Sequence, residues 1–102
     1  MRALAIVLWA GSLAWGGELK GYISDAACGW NNARNTKEAK ECVRACLKNG
    51  FDPVFILDGD MNTYTVSDKA KVLPFAGEHV AITGRMQGNK VIVEEVRKLD
   101  EK

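Results

Sequence analysis

Only one stretch of this chain keeps an apolar repeat of helical period for more than a single turn, and this confines the rest to short strands and their connections. From about Thr36 to Asn49, the residues Ala39, Cys42, Val43, Cys46 and Leu47 fall at i, i+3, i+4, i+7 and i+8, the spacing of one helix face. Asn35 stands where a cap is needed, Glu38 follows three residues on as in a capping box, and Gly50 with Pro53 closes the segment. This reading turns both helical cysteines toward the core. The opposite face carries a basic ridge, Lys37, Lys40, Arg44 and Lys48, diluted by Glu38 and Glu41. Such a ridge can meet a phosphate or an acidic partner, or it can simply be a solvated face.

The remaining segments alternate over short distances. Glu18 to Ser24 is a strand candidate, and Asp25 to Arg34 reads as loop. Val54 to Leu57 is an unbroken apolar run ended by Asp58-Gly59-Asp60, and Thr63 to Ser67 alternates, so the two read as a hairpin. Val72 to Gly77 has room for one helical turn. His79 to Met86 alternates, Gln87-Gly88-Asn89 turns the chain, and Lys90 to Arg97 returns as the last strand before a charged tail, Leu99 to Lys102. The expected fold is mainly β, α+β by content: a small five-stranded OB-like barrel with one helix of about 14 residues inserted between strands 1 and 2. Curling into a barrel removes the edges that short strands leave unpaired. Gly21, Gly77 and Gly84 lie in or beside strands, where sharp coiling needs residues without a Cβ. An open α+β sheet with the helix on one face is the competing arrangement.

At the N-terminus, Arg2 and the apolar run Ala3 to Trp15 have the form of an export signal, with Ala14-Trp15-Gly16 placing small residues for cleavage after Gly16 and Ser12-Leu13-Ala14 as the rival site. The expected organisation is a signal peptide over 1–16 and one domain over 17–102. An apolar run this short falls below the ~20 residues that span a bilayer, so no stable membrane insertion is expected after cleavage. The destination is periplasmic or extracellular. The whole chain has 14 Lys+Arg against 13 Asp+Glu, and loss of Arg2 leaves the processed chain neutral. Neutrality disfavours nucleic acid, whose non-specific binding needs an excess of cationic side chains.

An oxidising compartment changes how Cys28, Cys42 and Cys46 are read. Cys42 and Cys46 lie four apart on one helix, where a direct bridge strains disulfide geometry, so the expected disulfide joins Cys28 to Cys42 or Cys46. A closed loop of about fifteen residues is worth about 3 kcal/mol in the loop-entropy description. The third thiol is then buried and inert or links two chains into a dimer. Alternatively, all three act as thiolates on zinc or copper, with His79 as a fourth ligand. The C-x3-C spacing departs from the shorter knuckle of most zinc sites. Thiol exchange is a third use, and it requires an exposed cysteine of lowered pKa.

Other chemistry is thinner. Asp58-Gly-Asp60-Met-Asn62 begins like a calcium loop, but Thr63 and Lys69 occupy the positions that need Gly and Glu, so a polar turn explains it. Ser24, Asp25 and His79 have no local nucleophile context, and no catalytic residue is expected. Barrels of the OB type bind ligands on an open strand face with aromatics, and Tyr22, Trp30, Phe55 and Tyr64 are the candidates, with Phe55 and Tyr64 equally suited to a core.

The strings GYISDAACG (Gly21 to Gly29), Cys42-x3-Cys46, PVFILDGD (Pro53 to Asp60) and PFAGEHVAITGRM (Pro74 to Met86) resemble a group of small exported bacterial proteins with an OB-fold-like domain. The resemblance spans nearly the whole processed chain and implies a fold rather than a reaction. The expectation is therefore an exported, non-enzymatic ligand-binding or protein-interaction domain stabilised by a disulfide, without cofactor, whose partner is a protein, peptide, glycan or small molecule. The alternatives are a cell-envelope thiol-based metal-binding protein using Cys28, Cys42 and Cys46, and a thiol redox protein.

Overall fold

A computed structural model describes residues 17–99; the proposed export segment, 1–16, and the end of the charged tail lie outside the described residues. Five strands form one mixed sheet: β1 (Gly17–Asp25), β2 (Pro53–Leu57), β3 (Thr65–Val66), β4 (His79–Gln87) and β5 (Lys90–Lys98). Their hydrogen-bonded order is β2-β1-β4-β5-β3, with β3 parallel to β5 and every other pair antiparallel. An isolated antiparallel bridge then joins the two ends of this order: Phe55 N donates to Tyr64 O at 2.8 Å and Tyr64 N to Phe55 O at 3.0 Å. The sheet is thus a nearly closed barrel, and the open-sheet alternative is set aside. The expected Val54–Leu57 and Thr63–Ser67 hairpin shrinks to that one bridge. The aspartate-rich connection takes up the chain that a longer ladder would need, and β3 pairs with β5 instead.

Tight curvature is built from glycine. A Cβ at Gly21 would run into the carbonyl oxygen of Ile56 and the ring of Phe55, and one at Gly84 into the carbonyl oxygen of Ile92, beside the bulge between Thr83 and Gly84. Small or absent side chains at these points let neighbouring strands approach and bend. Within the barrel, Ile23, Phe55, Val66, Val72, Val80, Ile82, Val91 and Val93 form the buried cluster.

Among the described residues two α-helices flank the strands: α1 (Lys37–Lys48), in the long connection after β1, and the single turn α2 (Lys69–Val72), which runs into a 3-10 turn at Leu73–Phe75. The first helix begins one residue later than the sequence suggests. Thr36, in extended conformation, is the cap, its Oγ1 accepting from Ala39 N at 3.1 Å, so Glu38 falls too early for a capping box. Gly50 follows the helix with φ of 102°, the left-handed geometry expected of a stop. Only Ala39 and Val43 are buried along α1, and Cys42 is exposed, contrary to the core-facing position read from periodicity. The helix touches the barrel along a narrow line, with Cys42 on its rim.

Half of the basic ridge holds that contact in place. Glu78 accepts Lys40 Nζ at 3.2 Å and Arg44 Nη2 at 2.9 Å, and Arg44 Nε also donates to Ala76 O at 3.3 Å. Lys37 and Lys48 remain exposed. Lys40 and Arg44 therefore serve as struts between helix and barrel rather than as an open phosphate-binding face.

Candidate functional site

The loop that leaves β1 is organised by one buried carboxylate. Asp25 has no solvent exposure; its Oδ1 accepts from Ala27 N at 3.0 Å and Cys28 N at 2.9 Å, and its Oδ2 from Asn32 Nδ2 at 3.4 Å. Beside it, the buried Ser24 Oγ donates to Gly29 O at 2.7 Å. This turn sets Trp30, in the 3-10 turn Gly29–Asn32, against the start of the aspartate-rich connection after β2. An Asp followed by amides two and three residues on is an Asx-type turn, a signal present in Asp25-Ala-Ala-Cys28 that the loop assignment did not use.

Between these two loops lies an open cavity of about 340 Å³ lined by Tyr22, Trp30, Ile56, Leu57, Asp58 and Asp60, with the exposed Met61 at its edge. Its volume falls within the range of small-molecule sites. Tyr22 stacks on His79 at a centroid distance of 4.5 Å, and His79 Nε2 meets Asp58 Oδ2 at 2.8 Å. Asp60 accepts from Tyr64 Oη at 2.6 Å through Oδ2 and from Asn62 N at 2.9 Å through Oδ1. These bonds, led by that from Tyr64, hold the Asp60 carboxyl below its ordinary pKa, while the same bond and burial raise the Tyr64 phenol. Asp60 is thus a firmly ionised carboxylate. The polar-turn reading of the Asp58 to Asn62 segment agrees with this geometry.

Of the four proposed ligand-face aromatics, the structure brings Tyr22 and Trp30 to one cavity and separates the others. Phe55 is wholly buried in the barrel, and Tyr64 is half-buried with its hydroxyl on Asp60. Strand alternation explains the split: Tyr22 and Ile56 are register partners, and their immediate neighbours Ile23 and Phe55 face the barrel interior. The sequence reading missed Asp58, Asp60 and Met61 as wall residues.

The cysteines depart further from expectation. All three are free, so the structure contains no bridge from Cys28 to Cys42 or Cys46. Asp25 does the tying assigned to a disulfide, clamping the Cys28 amide to the end of β1. The thiols nonetheless gather around this carboxylate. Burial first, then the charge of Asp25 and the neighbouring Cys42, raise the Cys28 pKa; burial, Asp25, Cys42 and Cys28 push Cys46 from 9.0 up to about 11. Raised thiol pKa values oppose the nucleophilic role that exchange requires. Nor is a Cys3His site assembled, because His79 is engaged by Asp58 and Tyr22. Among the described residues no group of three or more His, Cys, Asp or Glu side chains is arranged to hold a metal ion. Ser24 and Asp25 are likewise committed to the loop, away from any pairing with His79.

An alkaline titration of the reduced protein follows from these pKa directions. A group whose folded pKa is raised adds stability in full below its unfolded pKa, and that contribution is lost as pH rises through the folded value. The unfolding midpoint should therefore fall between about pH 9 and 11 more steeply in the native sequence than in Cys46→Ser, which removes the ionisation. Alkylation followed by mass mapping at pH 8 should label the exposed Cys42 before Cys46. Equal labelling rates with identical pH profiles would remove the protected environment assigned to Cys46.

Among the described residues no helix is long and apolar enough to cross a membrane. No protein-family model, no curated protein and no solved structure matches the chain.

Proposed function

We propose that this is an exported, non-enzymatic ligand-binding domain built on an OB-type barrel, and that its ligand occupies the cavity between Trp30 and Asp58. The observation that carries the reading is the meeting of Tyr22 and Trp30 with Asp58 and Asp60 in one open cavity. The ring order supports the fold: β1 lies between β2 and β4, the Phe55–Tyr64 bridge joins β2 to β3, and β3 runs parallel to β5. OB barrels bind along strands 2 and 3 and the loop between strands 1 and 2, and the cavity lies where that loop meets the connection from β2 to β3. Export rests on the charged and apolar N-terminal pattern and on the resemblance described above.

Trp30 is the only tryptophan after residue 16, so the fluorescence of the processed protein reports the cavity directly. Titration with peptide, glycan and small-molecule collections should give a saturable change in Trp30 emission for one class. Tyr22→Ala should weaken that ligand about tenfold, the usual loss for a buried aromatic contact. If Trp30 emission and the amide resonances of 57–61 move with none of the three classes, the binding-domain reading is wrong. Secretion is tested separately, by whether the full chain is recovered outside the cytoplasm with 1–16 removed.

A further inference from the structure

We infer that the ligand of this cavity is an organic cation, an alkylated ammonium group held between the rings of Tyr22 and Trp30 and the charges of Asp58 and Asp60. The inference rests on the binding-domain reading above and names its ligand class.

The charge of the cavity wall, set beside two aromatic rings, selects the ligand. Asp58 and Asp60 line the cavity, and among the described residues no Lys or Arg does, so this wall is anionic. Part of the hydrogen-bonding capacity of these carboxylates is already committed within the protein. Each oxygen of Asp60 accepts one bond, Oδ2 from Tyr64 Oη and Oδ1 from Asn62 N, and Oδ2 of Asp58 meets His79 Nε2. A sugar or an amide needs its polar groups matched bond for bond, and each one left unmatched costs free energy. A substituted ammonium makes no such demand. It gains from the field of an ionised carboxylate without forming a directed bond, and from the faces of aromatic rings through the cation–π attraction.

The rest of the wall fits the alkyl groups of such a cation. Ile56 and Leu57 are apolar, and the thioether of Met61, 62% exposed, stands at the edge. Trp30, 47% exposed, is open to an incoming group. The low pKa of Asp60 keeps its charge present throughout the neutral range. His79 is held to Asp58 Oδ2 and stacked on Tyr22, so a bound cation would share the Asp58 carboxylate with the imidazole.

The test compares choline with its uncharged isostere 3,3-dimethylbutan-1-ol, and both with cellobiose as a neutral sugar, by Trp30 fluorescence and by calorimetry on the protein lacking 1–16. Choline should bind saturably, and the isostere at least tenfold more weakly. Asp58→Asn with Asp60→Asn should remove most of that preference while leaving the far-ultraviolet circular dichroism spectrum unchanged. Trp30→Leu, followed by calorimetry, should weaken choline at least tenfold. Equal binding of choline and its isostere overturns the cation assignment, as does tighter binding of cellobiose, and in both cases the cavity stays a ligand site. If none of the three probes binds but a peptide or glycan from the wider collections does, the cation assignment fails by itself. Silence from every class defeats both readings.

Discussion

Replacing Phe55 by alanine should destabilise the domain by about 3–5 kcal/mol, the range for removing a large aromatic side chain from a packed core. Phe55 is wholly buried among Ile23, Val66, Val80 and Ile82, and its ring fills the space that Gly21 leaves by having no Cβ. Its backbone also forms the two hydrogen bonds with Tyr64 that bring β2 against β3. Loss of the ring therefore weakens packing at the seam where the barrel closes. A domain of this size has few kcal/mol to spare, so much of the variant should be unfolded near physiological temperature. Urea or thermal unfolding followed by circular dichroism measures it. Trp30→Ala is the natural contrast: its half-exposed side chain should cost under about 1 kcal/mol. If the two substitutions cost the same, Phe55 does not hold the barrel, and its assignment to the core in place of a ligand face is mistaken.

The contrast also shows how far the sequence could be read. Both residues are aromatic, and the sequence does distinguish them in part: Phe55 lies inside the apolar run Val54 to Leu57, whereas Trp30 stands between Gly29 and Asn31. Strand alternation separates Phe55 from Tyr22 only once the register of β1 against β2 is known, because a slip of one residue exchanges the two faces. Local signals did better where the physics is local. The helix after β1, the left-handed Gly50 at its end and the turn at Gly88 follow from residue-level preferences that tertiary contacts do not overrule. The helix cap moved from Asn35 to Thr36 because either side chain can accept the bond and only the path of the loop decides between them.

Non-local features were the ones lost. That β3 would run beside β5 in parallel, rather than along β2, depends on how the Asp58 to Tyr64 connection consumes chain length, and no short-range pattern encodes it. Glu78 offered no hint that it would collect Lys40 and Arg44 from a helix more than thirty residues away. The candidate cavity was half visible: aromatic residues were sought there, but its two carboxylates were read only as a turn. They are a turn, and the same bonds that make it hold Asp60 as a carboxylate on the cavity wall.

The second large effect is expected at Asp25, and it decides what keeps the loop after β1 in place. Asp25→Ala leaves the Ala27 and Cys28 amides and the Asn32 side chain without their acceptor. At 1–3 kcal/mol for each buried group left unsatisfied, and with Ala27 able to recover water, the loss should be about 2–4 kcal/mol. Asp25→Asn keeps one carbonyl oxygen for the two amides but turns a donor toward Asn32, so it should cost about half as much. The conservative variant also separates charge from burial at the thiols. The Asp25 charge stands second to desolvation among the causes that raise Cys28 and Cys46, so its removal should lower both pKa values without returning them to the ordinary thiol range. Alkylation of Asp25→Asn at pH 8 should accordingly quicken at Cys28 and Cys46, whereas the exposed Cys42 should gain less. The Asp25→Ala variant should further weaken any ligand that Trp30 helps to bind, because the turn that carries Trp30 is anchored through Cys28. A variant as stable as the native chain, with unchanged thiol rates, would return the loop to the cysteines as its fastening and reopen the bridge that the free thiols set aside.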